Sequence, residues 1–285
     1  MKELMLEDLK TVELKILVEI DEICRAEGIR YSLTAGTLLG AARHRGFIPW
    51  DDDIDLFMPR PDYNRFIEYC KANETGFKLV SLELDQRYGY LFAKAMDMST
   101  RVEEFVTDSK GIDMGVCVDI FPVDGLGDTY EEAQKTFKST RFKRELLVAC
   151  NWKKFFRSKT RSWKYEPIRF AFFIASRFAS RKRLIASIQK KLAKHSFEDS
   201  KYVGSVCTAY RSKEIMEDRL FKEYTDISFE GKPFSSINDY GKYLSAIYGD
   251  YMKLPPEDKR VTHHMFRAYY VDEEKAPLGA DASAD

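Results

Sequence analysis

The chain has 285 residues, 33.2 kDa, with 46 basic residues balanced by 46 acidic ones, so it can bury a substantial core and has length left over for elaboration beyond one minimal domain. Its five cysteines, Cys24, Cys70, Cys117, Cys150 and Cys207, are odd in number and contain no Cys-x-x-Cys pair, which excludes a disulfide framework or a zinc ribbon and points to reduced, cytoplasmic thiols. The first residues lack the apolar stretch of a signal peptide, and no uncharged run approaches the roughly eighteen residues of a membrane span.

In chain order, Leu9, Val12, Ile16, Ile20 and Ile23 recur at helical spacing and predict a helix from about Leu6 to Ala26, stopped near Gly28. Strands are predicted near Ile29–Leu33, Asp53–Met58, Phe77–Leu82, Tyr90–Met96 and Val116–Phe121. A helix over Pro61–Ala72 begins with proline, which suits a first turn. Further on, Phe221–Phe234 with its Glu230-Gly231 turn reads as a hairpin, and Tyr240–Tyr251 as a helix. The sum is an α+β protein divided into a core over 1–135, a basic helical insertion over 136–200, a C-terminal hairpin and helix over 201–271 and a disordered tail over 272–285.

The most informative stretch is Trp50-Asp51-Asp52-Asp53-Ile54-Asp55, four carboxylates in five residues at the start of an apolar strand. Alternation along an extended chain puts Asp51, Asp53 and Asp55 on one face and turns Asp52 away. Such a claw of hard oxygen donors suits Mg²⁺ or Mn²⁺, although an isolated acidic run is also an ordinary solvated turn. Upstream, Ala35-Gly36-Thr37-Leu38-Leu39-Gly40 opens a short apolar helix. Gly36 permits close approach of backbone to a ligand, and Thr37 adds a hydroxyl at a helix N-terminus that favours phosphate oxygens. Asp119 interrupts an apolar, β-branched run, a costly place for a carboxylate unless it is paired or metal-bound. Asp124, beyond Pro122 in an Asp-Gly dipeptide, reads as a turn residue.

These residues carry a resemblance. Gly36-Thr37-Leu38-Leu39-Gly40-Ala41-Ala42-Arg43, then Gly46-Phe47-Ile48-Pro49-Trp50-Asp51-Asp52-Asp53-Ile54-Asp55, is similar to the signature of the LicD family. Val118 to Asp124, Tyr248 to Pro256 and His263-His264 match further motifs, so the resemblance covers roughly residues 10 to 265. It implies a nucleotidyltransferase-like fold, a small mixed sheet flanked by helices, and transfer of phosphocholine from CDP-choline to a cell-surface glycan or its lipid-linked precursor. Related fukutin-type transferases imply an alternative, another phospho-alditol such as phosphoribitol or phosphoglycerol. The resemblance maps metal binding and catalysis onto Asp53, Asp55 and Asp119, with Asp51 auxiliary, and donor phosphate onto Gly36, Thr37, Arg43 and Lys94, with His44 and Arg45 as further donors. For Lys94 an ordinary strand lysine is an equal reading. Trp50, Tyr248 and Tyr251, with Tyr243, offer an aromatic wall for a quaternary ammonium, or plain packing. His263 and His264 receive no role.

Residues 138–194 hold 18 Lys or Arg against two acids, Glu145 and Glu166, with aromatics interleaved. An anionic membrane surface at the inner leaflet, a polyanionic glycan and a solvated face on packed helices are competing readings. No nucleic-acid recognition motif is present, and nucleic acid is not an expected partner. A non-catalytic glycan- or membrane-binding adaptor is the different-class alternative, against which the three retained carboxylates argue.

Overall fold

The computed structural model describes residues 2–158, 162–208, 210–262 and 266–271. In chain order the elements are α1 (Leu6–Glu27), β1 (Ser32–Leu33), α2 (Ala35–His44), β2 (Ile54–Pro59), α3 (Arg60–Ala72), β3 (Lys78–Val80), β4 (Ala93–Asp97), β5 (Thr100–Glu104), β6 (Val116–Gly127), α4 (Tyr130–Cys150), α5 (Glu166–Ser176), α6 (Arg181–Leu192), β7 (Tyr202–Gly204), β8 (Met216–Glu217), β9 (Tyr224–Phe229), β10 (Lys232–Ile237), α7 (Tyr240–Tyr248) and β11 (Phe266–Tyr270). The α+β class stands. The tail over 272–285 and His263-His264 lie outside the described residues.

The main sheet runs β1-β2-β6-β4-β3, and the far end of β6 continues into pairing with β7, which pairs β8. Only β2 and β6 are parallel; every other pair in this sheet is antiparallel. At its centre β2 buries Ile54, Leu56, Phe57 and Met58 and leaves Asp55 half-buried, as a strand covered on both faces should be, except at one position. Helix α1 lays Leu9, Val12, Ile16, Leu17 and Ile20 against this sheet, each fully buried aliphatic side chain contributing about 1.5 to 3 kcal/mol. Gly28, at φ 61°, ends it with the left-handed cap that glycine takes without strain.

Several strands are shorter than their apolar runs. Ile29 and Tyr31 are buried, yet only Ser32 and Leu33 pair with β2, and the run from Tyr90 becomes strand only at Ala93. Conversely β6 extends six residues past Phe121. That extension corrects the reading of Asp124: it is a buried strand residue whose carboxylate takes two hydrogen bonds from Arg60, at 2.6 and 3.0 Å. The hairpin is present as β9–β10, with Phe229 opposite Lys232 and both turn residues at positive φ, Glu230 at 50° and Gly231 at 74°, the conformation a two-residue hairpin requires. Helix α7 stops at Tyr248, because Gly249 leaves helical geometry. The β5–β11 ribbon joins residues 100–104 to 266–270.

Helix α4 spans the expected boundary at 135/136, capped by Thr129 and Glu132. It packs against α5 and α6, and with α6 it encloses a second apolar core containing Phe137, Leu147, Ile185 and Ile188. In the segment between, Phe172 and Phe173 are half-buried among Phe142, Trp152 and Phe155, while Trp163, Phe170, Ile174 and Phe178 are exposed, Phe178 to 89%. Among the described residues, no helix is long and apolar enough to cross a membrane.

Candidate active site

Three adjacent strands carry one row of charge. Asp55 on β2 lies opposite Asp119 on β6, which lies opposite Lys94 on β4. Register partners in a sheet project to the same face, so all three side chains meet there. Lys94 Nζ donates to Asp119 Oδ1 at 2.5 Å, and the rings of Phe92 and Tyr90 stand 5.3 and 5.9 Å from the ammonium. Burial alone would lower the Lys94 pKa, but Asp119, Cys117 and Tyr88 together outweigh that effect and raise it well above the usual lysine range. Lys94 is thus placed on a carboxylate, beside the position where the resemblance implies donor phosphate.

Asp55 has no such partner to itself. Burial first, then Asp53, Asp119 and Asp51, push its carboxyl well above the usual range, and Lys94 opposes them without prevailing. Helix α2 is stitched to this residue: the Asp55 N–H donates to Thr37 Oγ1 at 2.8 Å, and the Thr34 N–H donates to the Asp55 carbonyl at 3.0 Å. Gly36 and Thr37 therefore sit in the first turn of the helix. A Cβ on Gly36 would lie 2.5 Å from Asp51 Oδ2, so only glycine lets that carboxylate approach the helix N-terminus, where negative charge is favoured. Beside it Ala35 holds φ at 46°, a left-handed conformation that costs an alanine about 1 to 2 kcal/mol.

Because β2 begins at Ile54, residues 51 to 53 precede the strand and do not alternate. Asp52 consequently does not turn away: carboxylate oxygens of Asp51, Asp52 and Asp53 all lie within 4.8 Å of one another, and Asp52 is only 7% exposed. Asp51 and Asp53 thus gather with Asp52, while Asp55 and Asp119 stand side by side in the sheet.

Glu13 is a member of this neighbourhood that sequence pattern did not single out. It lies on the buried face of α1, 3% exposed, and its Oε2 has no hydrogen-bond partner. Burial raises its pKa well above the usual range, and the next contributors are Asp53, Asp52, Asp119 and Asp55. One signal was available: a glutamate set between Val12 and Ile16 in an otherwise apolar stripe. An orphaned buried carboxylate beside mutually repelling aspartates fits a hard divalent cation, since all donors are oxygens.

The opposite wall is aromatic. Tyr243 bridges Thr34 Oγ1, at 2.8 Å, and Glu214 Oε1, at 3.5 Å. Tyr248 shares a 2.5 Å hydrogen bond with Tyr210, and Asp55 is among the charges that raise both phenols, after burial. Tyr210, unmarked in the sequence, is thus part of this wall. Trp50 stacks edge-on with His44, and the Arg260 guanidinium lies 5.7 Å from its ring centre. Arg43 donates to the carbonyls of Tyr251 and Lys253, at 2.9 and 3.4 Å, and to His44, so it ties α2 to the segment after α7. Arg45, exposed at φ 60°, is the C-cap of α2.

Glu214, fully buried, has its pKa raised to about 8, burial outweighing the hydrogen bond from Tyr243. A carboxyl whose pKa is higher folded than unfolded stabilises the fold fully below about pH 4.5 and loses that contribution as pH rises toward 8. Glu214→Gln is therefore expected to change little near the acid limit and to stabilise by up to about 4 kcal/mol near pH 8. Thermal unfolding of both proteins across this range checks it; a Tm difference independent of pH would refute it.

Comparison with known proteins identifies the family. A family model described as LicD/FKTN/FKRP, nucleotidyltransferase domain, matches residues 28–163. The chain is 32% identical over 280 residues to the lipopolysaccharide cholinephosphotransferase LicD of Haemophilus influenzae, covering 95% of this chain and 100% of that protein. It is 39% identical over 75 residues to the human ribitol 5-phosphate transferase FKRP, covering 26% of this chain and 14% of that one. With a full-length relative at that identity and a shared family domain, the chain belongs to the LicD family and is a phosphotransferase.

Proposed function

We propose that this enzyme transfers phosphocholine from CDP-choline to a hydroxyl of a cell-surface glycan or its lipid-linked precursor, with Mg²⁺ or Mn²⁺ as cofactor. The observation that carries the reading is the charge row Asp55–Asp119–Lys94 beside the Asp51–Asp53 cluster, in a chain whose full-length relative is named for cholinephosphate transfer. Asp51, Asp53, Asp55 and Asp119 would hold the cation. When bound, it supplies charge neutralisation at the donor phosphate oxygens.

The acceptor hydroxyl oxygen attacks the β-phosphorus of the donor, its bond to the CMP oxygen breaks, and CMP leaves. Asp119, which accepts a hydrogen bond from Lys94, accepts the hydroxyl proton. Thr37, whose oxygen accepts from the Asp55 N–H, keeps its own proton to donate to the diphosphate at the α2 N-terminus, beside Gly36. Arg43 contributes positive charge at the other end of the helix. Trp50, Tyr248 and Tyr251 face the choline ammonium. Peripheral contact of residues 138–194 with an anionic inner leaflet is part of this reading, supported by exposed Trp163, Phe170 and Phe178 among the basic side chains.

The test is CMP release with the full chain, a divalent cation and a glycan acceptor. CDP-choline is expected to be used at least about tenfold faster than CDP-ribitol or CDP-glycerol, a difference of about 1.4 kcal/mol in transition-state binding. Preference for either alditol donor would replace phosphocholine by that group. No CMP from any of the three, with or without cation, would remove these CDP donors from the reading.

A further inference from the structure

One face of α4 is not used by the site described above. Lys138, Arg141, Glu145 and Val148 follow one another at three- and four-residue spacing, the period of a single helix face. Two cavities open along it. One, of about 290 Å³, is lined by Tyr90, Phe92, Arg141, Arg144, Asn151 and Arg211 among others. The second, of about 950 Å³, runs on toward α5 over Phe142, Trp152, Ile168 and Phe172. They share Arg141, Glu145, Val148 and Arg211, and so form one groove with a small cationic end and a long aromatic floor.

The small end has the features of a built anion site. Three arginines converge there against a single acid, Glu145, which is 3.4 Å from Arg211. Among the described residues Arg141 has no ion pair. Arg144 is held by the carbonyls of Val206 and Phe137, and its Nε is a buried donor without a partner. Asn151 is buried there, its amide nitrogen donating to Gly89. An unpartnered buried donor such as Arg144 Nε is costly unless a ligand satisfies it. The groove also reaches the charge row: Phe92 and Tyr90, which line its small end, are the rings beside the Lys94 ammonium.

We propose that this groove binds an amphiphilic acceptor, a phosphate ester at the arginine end and an apolar chain along the aromatic floor. This rests on the transferase reading and supplies its acceptor class: a phosphorylated, lipid-bearing glycan whose hydroxyl is presented past Phe92 to Asp119. Charge complementarity commits the small end to an anion, since arginine guanidinium groups match phosphate geometry. The floor commits the rest to an apolar chain, since rings of Phe142, Trp152 and Phe172 offer area and little hydrogen bonding.

The probe is farnesyl phosphate, titrated calorimetrically into the full chain below its micelle concentration. Saturable one-to-one binding is expected, at least about tenfold tighter than farnesol or inorganic phosphate, the margin of one charge-assisted hydrogen bond. Arg141→Glu with Arg211→Glu should weaken it by about tenfold or more, and so should Val148→Trp, which fills the groove without altering charge. CDP-choline affinity should stay within about twofold in all of them, which also reports folding. Unchanged farnesyl phosphate affinity in folded variants would overturn the assignment. So would inorganic phosphate binding as tightly as the lipid, or binding to anionic vesicles with none to the monomer, which would make the segment a bilayer-facing surface. Loss of CDP-choline binding by the unaltered protein sinks the donor reading and leaves this measurement standing.

Discussion

If Asp55 holds the proposed cation, Asp55→Asn is expected to lower transfer by at least about 10³-fold, while raising stability in cation-free buffer. The two effects share one cause. Asp55 is pushed up by burial and by Asp53, Asp119 and Asp51, so ionising it costs stability as pH rises above its ordinary value of 3.8. Asparagine keeps the shape and removes the charge. At neutral pH the variant should therefore melt higher than the parent without Mg²⁺ and respond less to added Mg²⁺. Glu13→Gln should move stability in the same direction, because its carboxyl faces the same charges. Single-turnover assays and thermal unfolding with and without Mg²⁺ measure this. An Asn variant that keeps a tenth of the activity, or gains the same Tm increment from Mg²⁺ as the parent, would remove Asp55 from the cation site.

Asp124→Ala is expected to cost about 3 to 5 kcal/mol in folding free energy, the usual consequence of removing one member of a buried ion pair. Asp124 is buried at the far end of β6, and Arg60 reaches it from the start of α3 with two hydrogen bonds and stacks over Tyr63, 5.0 Å from its ring centre. The variant leaves that guanidinium without its counter-charge beside an apolar core. Replacing both partners, as Arg60→Met with Asp124→Leu, should recover most of the loss, since a packed apolar pair avoids the desolvation of both charges. Urea unfolding of the three proteins decides it. A single-variant loss under about 1 kcal/mol would show the pair to be solvent-screened like a surface bridge.

These two aspartates mark how far the sequence is legible. Asp55 announces itself because four carboxylates in five residues are abnormal at a strand, and Asp119 because it interrupts an apolar one. Asp124 misleads, since Asp-Gly is turn chemistry wherever no neighbour extends the ladder. Here β7 pairs with Asp124 and Gly125 and keeps β6 extended. The same kind of error, in reverse, concerns Asp52. Alternation applies only to residues inside a strand, and the first three aspartates precede β2.

What the residues alone determined are the properties with a local cause: the helical period of α1, the proline start of α3, the two-residue turn at Glu230-Gly231, a glycine for close approach at the start of α2, and a family signature contiguous over twenty residues. Tertiary structure decided everything that depends on partners distant in sequence. The meeting of Asp55, Asp119 and Lys94 is a matter of strand register across β2, β6 and β4. Lys94 is drawn to Asp119 because both are buried side by side. Tyr210 and Glu13 join the site from elements whose local pattern serves packing. The basic segment reads from composition as basic residues with aromatics interleaved, and packing of α4 against α5 separates it into an arginine-lined groove and an exposed apolar rim, because helix packing chooses which side chains face each other.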